Sequence, residues 1–228
     1  MRAIDDYYDS SVVFKYKRPV QPKGPTGFYV TIILMKTTLF IDGENFIKKM
    51  RTVFGIANKE RLLLDKYNFK GLFDKALEGI KIDNTIFYFA HLKEHPDTKE
   101  KSRQLIAEQR LLKNSLQRQG FIVILSGRVR GQLEEDNRGK KTLIFKENGV
   151  DVKVAVDMVV AACDGNLKTG IIGSSDSDLQ PAIAELRKRN VECIYLGFEM
   201  MPNKGLVYTT NRTILIRNSE ILEFENKA

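Results

Sequence analysis

The sequence predicts an α/β fold in which helices cover both faces of a central, mostly parallel β-sheet. The main observation is that short apolar, β-branched runs alternate with longer amphipathic stretches from residue 36 onward, as in successive strand–helix–strand units. The 228 residues are enough for one large domain with its own core. Hydrophobic residues make up 43% and charged residues 29% of the chain, which is typical of globular domains and not of disordered chains.

The first 35 residues are expected to form a flexible extension, and residues 36–228 a single domain. Prolines and glycines cluster in the second half of this extension, at Pro19, Pro22, Gly24, Pro25 and Gly27. Such a composition disfavours both helices and strand ladders. Two alternatives stay open: Met35 is the native start of the protein, or the residues before it form an ordered arm that packs on the domain.

Local sequence patterns predict the strands and helices of the domain. Strands are expected where β-branched and aromatic residues run together, at residues 37–41, 85–90, 121–125, 169–173 and 191–196. Helices are expected where apolar residues recur at helical spacing, at residues 43–54, 69–79, 98–119, 151–163 and 177–189. The stretch 128–146 is predicted to be a basic hairpin or loop around Asn137-Arg138-Gly139. The strand at 191–196 is the last clear strand of the predicted core.

Three aspartates directly follow two of the predicted strands. Asp42 ends the first strand, and Gly43 after it is expected to allow a sharp turn. Asp176 and Asp178 follow the strand at 169–173. Binding sites in open α/β sheets form beyond the carboxyl ends of the strands. Neighbouring carboxylates repel each other unless a cation or a proton lies between them, and Mg²⁺ and Mn²⁺ prefer carboxylate oxygens.

Helix capping is the alternative explanation for these aspartates, because Asp and Ser are preferred at helix N-termini. A further aspartate, Asp157, favours a site, since it lies within an otherwise apolar helical stretch. A carboxylate there is disfavoured unless it is paired, exposed or coordinated. Asp151, at the start of the same helix, suits an N-cap as well as a functional acid.

These acids lie within three segments that form a combined motif. The segments are Ile41-Asp42-Gly43-x-Asn45, then Gly149-Val150-Asp151 through Asp157-Met158, then Ser174-x-Asp176-Ser177-Asp178-Leu179-x-Pro181. Together they resemble the NYN domain of the PIN-like nuclease superfamily, in its LabA-like branch, over about residues 36–200.

The resemblance implies a Rossmann-like three-layer α/β/α sandwich and a ribonuclease, most simply an endonuclease, that depends on Mg²⁺ or Mn²⁺. It also implies roles for particular residues. The catalytic, metal-binding acids would be Asp42, Asp157, Asp176 and Asp178, supported by Asn45, Asp151 and Ser174. The chain departs from the family pattern at Ser175, where Gly is usual, and at Asn148, where Lys is usual.

The charge of the chain favours a polyanionic partner. The formal net charge is +8, and residues 91–146 contain thirteen Lys and Arg against seven acids, a net +6. The residues expected to contact RNA phosphates are Arg128, Arg130, Arg138, Lys140 and Lys141. Single-stranded RNA is the expected substrate by the resemblance, a homodimer stays open, and a solvated basic surface is the alternative.

Other classes of function are less consistent with the sequence. A PIN-like module that binds RNA or protein without cutting it is the main alternative, and a DNA nuclease or phosphatase is a further one. His91 and His95 lack the glutamate of a zinc-protease motif, because Leu92 follows His91. No apolar run is long enough to span a bilayer, and Cys163 and Cys193 form no disulfide pattern. These features predict a cytoplasmic protein without a membrane partner.

Overall fold

The computed structural model describes residues 35–58, 62–94, 99–135 and 141–225, with only the strand backbone described for residues 128–135 and 141–148. The expected extension, apart from Met35, lies outside the described residues, as do Arg138 and Lys140. Among the described helices, none is both long and apolar enough to cross a membrane.

The described residues form seven strands and seven α-helices. The strands are β1 (Lys36–Asp42), β2 (Asn84–His91), β3 (Ile122–Glu135), β4 (Lys141–Asn148), β5 (Leu167–Gly173), β6 (Glu192–Phe198) and β7 (Arg212–Ile216). The helices are α1 (Gly43–Ile56), α2 (Phe69–Ala76), α3 (Lys99–Arg118), α4 (Val150–Cys163), α5 (Gln180–Lys188), α6 (Lys204–Thr209) and α7 (Asn218–Glu223). A 3₁₀ turn, Ser177–Leu179, precedes α5.

The strands form one sheet in the order β4-β3-β2-β1-β5-β6-β7. Six of them are parallel, and only the edge strand β4 runs antiparallel, to β3. After β1, the chain builds the sheet outward through β2 and β3, and then crosses to the other side of β1 to form β5. The strand order therefore reverses between β1 and β5, and ligand sites in such sheets lie at this reversal.

The core consists of two apolar layers, one on each face of the sheet. Successive residues of β1 point to opposite faces, so that Leu39 and Ile41 belong to one layer and Phe40 to the other. The first layer is filled from α1, α2, α3 and α7, and the second from α4, α5 and α6. The predicted α/β/α sandwich with a mostly parallel sheet is therefore confirmed.

The structure differs from the expected elements mainly toward the C-terminus and in the basic stretch. The last strand is β7, with α6 and α7 around it, whereas the expected strands ended with that at 191–196. β7 is a short edge strand whose residues are mostly half-exposed or exposed, although its sequence, Arg-Thr-Ile-Leu-Ile, has the apolar, β-branched run of a strand. The predicted hairpin forms between β3 and β4, but β3 continues without a break from the core through Glu135.

Gly43 has a different role from the expected one. Its φ is not in the left-handed region that favours glycine. A Cβ atom at this position would instead lie 2.2 Å from Cε1 of Phe89 on β2. Glycine is needed here because α1 begins directly against an aromatic ring of the core.

Candidate metal centre

Asp42 is held at the junction of β1 and α1. It caps α1, and its Oδ1 accepts a hydrogen bond from the Asn45 backbone N–H at 3.1 Å. Its Oδ2 accepts from Ser174 Oγ at 3.4 Å, and the residue is 8% exposed. Burial raises the pKa of Asp42 to about 6; the negative charge of Asp176 adds to the increase, whereas the hydrogen bonds from Asn45 and Ser174 oppose it. Asp42 is both a helix cap and a carboxylate held near a second acid.

The loop after β5 is tied to the start of α1 by side chains. Asn45 Oδ1 accepts hydrogen bonds from the backbone N–H of Ser175, at 3.2 Å, and from its hydroxyl group. Ser174 Oγ accepts from the Asp176 backbone N–H at 3.1 Å while donating to Asp42. Asn45 and Ser174, both expected to be supporting residues, therefore connect the two loops. Ser175, which stands where Gly is usual, is accommodated because its hydroxyl group donates to Asn45.

Three acids converge at this edge of the sheet. One carboxylate oxygen from each of Asp151, Asp176 and Asp178 lies within 4.8 Å of the other two. Asp176 caps the 3₁₀ turn, where its Oδ1 accepts from the Asp178 backbone N–H at 2.9 Å. Asp151 lies in the first turn of α4, which follows Gly149 at a φ of 87°. We refer to Asp151, Asp176 and Asp178 as the acid cluster.

The ends of helices favour negative charge at this place. The helix α1 begins directly after β1, the 3₁₀ turn begins a short loop after β5, and α4 begins at the residue before Asp151. The N-terminus of a helix carries a partial positive charge from its unpaired N–H groups. These partial charges stabilise carboxylates but do not balance three of them.

Asp157 is placed differently from the other predicted acids. Its Oδ1 lies 2.7 Å from Lys153 Nζ, one helical turn earlier, and its Oδ2 accepts from the Tyr88 hydroxyl group at 3.1 Å. The side chain of Asp157 is 12% exposed. A buried carboxylate with a lysine and a tyrosine partner is satisfied without a metal ion. Asp157 is not a member of the acid cluster, and its expected metal-binding role stays a prediction.

Asn203, which lies between β6 and α6, also supports the site, although the sequence analysis did not single it out. Asn203 Nδ2 donates to the carbonyl oxygen of Ser175 at 2.8 Å, and Asn203 Oδ1 caps α6 by accepting from the Leu206 N–H at 3.0 Å. The Asn203 backbone N–H donates to the hydroxyl group of Tyr195, a fully buried residue of β6, at 3.0 Å. An Asn before a short helix is a recognisable cap, but its contact with a loop 28 residues earlier follows only from the fold.

The donor set fits a hard divalent cation. Mg²⁺ binds oxygen ligands at about 2.0–2.1 Å, so that opposite ligands of one ion lie about 4 Å apart. Three carboxylate oxygens within 4.8 Å of one another can reach this spacing through small side-chain rotations. The set contains oxygen atoms and no sulfur or nitrogen, which suits Mg²⁺ or Mn²⁺ better than zinc.

The residues predicted to contact RNA lie on or beyond the β3–β4 hairpin. In the backbone register, Arg128 is opposite Asn148 and Arg130 is opposite Lys146, while Lys141 is opposite Glu135. Arg128 also aligns with His91 at the carboxyl end of β2. The hairpin thus continues the sheet from the same edge that carries the acids.

Comparisons with known proteins give a similar solved structure and a matching family. A protein of unknown function from Vibrio parahaemolyticus is 16% identical, with 82% of this chain and 95% of that chain covered and a TM-score of 0.49. A search of curated proteins gives no match. The sequence pattern of the NYN domain matches residues 36–217, a range that contains every strand and all members of the acid cluster. This chain is therefore a member of the NYN domain family.

Proposed function

We propose that this protein is a metal-dependent ribonuclease that hydrolyses phosphodiester bonds within RNA strands. The observation that carries the proposal is the convergence of Asp151, Asp176 and Asp178 from separate segments, beside a fourth, buried acid, Asp42. NYN domains are generally considered nucleases, and the acid cluster lies where the strand order of the sheet reverses.

The acids need a cation for electrostatic reasons. Burial is the main cause of the raised pKa of Asp42, and the negative charge of Asp176 adds to it, so ionising Asp42 is disfavoured beside a charged neighbour. A divalent ion removes this repulsion, and when bound it offsets the charge of the scissile phosphate and lowers the pKa of a bound water. The ion would be held by Asp151, Asp176 and Asp178, with Asp42 beside them.

The remaining residues of the site position these acids. Ser174 and Asn45 hold the loop after β5 against the start of α1, and Asn203 holds it from the other side. These contacts restrict the carboxylates before any ligand arrives, and such preorganisation reduces the cost of reaching the reactive geometry. Asp157 would act as the partner of Lys153.

The substrate class is proposed from charge and family together. Arg128, Arg130, Arg138, Lys140 and Lys141 would contact phosphates of a single RNA strand that runs from the hairpin to the acid cluster. A cytoplasmic location would match this substrate, and Cys163 and Cys193 are both free thiols, as in a reducing compartment. A homodimer is compatible with the proposal but is not needed for it.

Cleavage of a labelled single-stranded RNA in Mn²⁺ tests the proposal. We expect internal cuts that EDTA abolishes and that fall by at least about a hundredfold in Asp176→Asn. Asp74→Asn is the matched control, because Asp74 is an exposed acid paired with Lys70. If wild-type protein binds the RNA without cutting it in either Mg²⁺ or Mn²⁺, the protein is a binding module and the proposal is wrong.

The metal ligands are tested by titrating Mn²⁺ into the protein without RNA. Asp151→Asn and Asp176→Asn should each weaken binding at least tenfold, since each removes a charged oxygen ligand. Asp157→Asn should leave the affinity nearly unchanged if Asp157 serves only Lys153 and Tyr88. An equal loss of Mn²⁺ affinity in Asp157→Asn would show that Asp157 is a metal ligand.

A further inference from the structure

The outward face of α4 is apolar along its whole length, and we propose that residues 28–34 of this chain cover it. The exposed residues of this fully described helix are Val152, Val156, Val160 and Cys163, and none of them is charged. Val152 and Val156 are 59% and 49% exposed. The opposite face is buried in the core of the domain, and the charged residues of the helix are Asp151, Lys153 and Asp157. The helix therefore has an exposed apolar stripe in addition to its buried face, whereas the exposed side of a surface helix is normally polar.

The chain enters the domain beside the C-terminal end of α4. The backbone N–H of Lys36, the first residue of β1, donates to the carbonyl oxygen of Asn166 at 2.9 Å. Asn166 in turn donates its N–H to Ala161, in the last turn of α4, at 3.0 Å. Met35 is 49% exposed at this point. The residues before Met35 therefore start within reach of Cys163, the last residue of the apolar face.

The composition and length of the preceding segment match the face. Residues 28–34 read Phe-Tyr-Val-Thr-Ile-Ile-Leu and contain no charge. Seven extended residues span about 23 Å, and the fourteen residues of α4 span about 21 Å. The segment can therefore run antiparallel to α4, from Cys163 to Val152, without a gap or an overhang.

A second copy of the chain is a poorer occupant of this face. The three valines together expose about as much surface as one and a half fully exposed valine residues, a small fraction of a typical interface. Stable complexes bury about 800 Å² per partner, because association must offset the loss of translational and rotational freedom. A segment joined covalently to the domain avoids most of this loss, so a small apolar face suffices to hold it.

The accessibility of the Cys163 thiol in the full-length protein tests the proposal. Cys163 should react slowly with a thiol reagent in the wild type, and at least tenfold faster in the double variant Ile32→Asp/Ile33→Asp. The double variant Val12→Asp/Val13→Asp is the matched control, since it changes the extension outside the covering segment, and it should react as the wild type does. Cys193, which is fully buried, should stay unreactive in each folded protein. Equal Cys163 rates in the wild type and Ile32→Asp/Ile33→Asp would overturn the proposal.

A cross-link gives an independent measurement that does not depend on a destabilising change. In a Cys163→Ser background, Tyr29→Cys and Val152→Cys should form an intramolecular disulfide under mild oxidation, whereas Ser10→Cys and Val152→Cys should not. Failure of the first pair to link would contradict the antiparallel placement. Protection of Cys163 that disappears on dilution, together with a dimer in sedimentation, would show that a second copy covers the face and that the proposal is wrong. None of these outcomes depends on whether the protein cuts RNA.

Discussion

Replacing Asp42 with Asn should stabilise the metal-free protein at neutral pH. Burial, with the charge of Asp176, raises the pKa of Asp42 from an ordinary value of 3.8 to about 6, so folding favours the protonated form. At about 1.4 kcal/mol per pKa unit, keeping this group ionised costs the folded state about 3 kcal/mol. The free energy of unfolding of the wild type should fall by this amount as the pH rises from about 4 through 6 to 7.5. The free energy of unfolding of Asp42→Asn should not fall in this way, because the variant has no charge to desolvate.

The hydrogen bonds of the site allow the change without a steric cost. An Asn caps a helix as well as an Asp does, so the bond from the Asn45 N–H can be kept. The hydroxyl group of Ser174, which donates to Asp42, can accept from the amide of the new side chain. The change therefore removes a charge while the shape and the cap are retained.

Urea or thermal unfolding in EDTA between pH 4 and 8 gives the test. The variant and the wild type should be nearly equally stable at pH 4, and the variant should melt about 6–12 °C higher at pH 7.5. Asp74→Asn controls for the loss of a surface charge, and we expect it to change stability by less than about 0.5 kcal/mol. A wild-type advantage at pH 7.5, or a difference that does not vary with pH, would refute the electrostatic reasoning.

Two further substitutions test the packing and the support of the site. Gly43→Ala should destabilise the protein by about 1–3 kcal/mol in urea unfolding, because its Cβ would meet the Phe89 ring at 2.2 Å. Gly55→Ala, in the same helix with nothing within 4 Å, should be neutral or stabilising, and similar losses in both would argue against the steric explanation. Asn203→Ala should weaken Mn²⁺ binding several-fold, measured by calorimetry, because the loop after β5 loses a bond. Asn68→Ala removes a comparable cap from α2 and should leave the affinity unchanged; equal effects would mean that Asn203 acts through stability alone.

The elements around the site could be predicted because their patterns are local. Asp42 and Asp176 follow buried, β-branched runs, and in a parallel sheet the carboxyl ends of β1 and β5 meet at one edge. The short edge strand β7, Arg-Thr-Ile-Leu-Ile, is also apolar and β-branched but was not predicted. Its place in the sheet depends on pairing with β6, which only the assembled fold provides.

The choice between the two aspartates of α4 could not be made from local sequence. Asp151 and Asp157 are six residues apart, about 120° round the helix axis at 3.6 residues per turn. Which of them joins the acid cluster depends on how α4 is rotated against the sheet. Val150, Val154 and Met158 set this rotation by packing into the core, which leaves Asp151 at the cluster and Asp157 beside Tyr88.

The late position of the acid cluster along the chain has a consequence during protein synthesis. A ribosome that translates this protein holds messenger RNA and ribosomal RNA close to the emerging polypeptide. The acid cluster needs Asp151, Asp176 and Asp178 together, all in the second half of the sequence, and Asp42 joins them only when β5 pairs with β1 across more than a hundred intervening residues. If the proposed function is correct, a growing chain has no cutting centre until most of its length has been made, so its own template is protected by the order of folding.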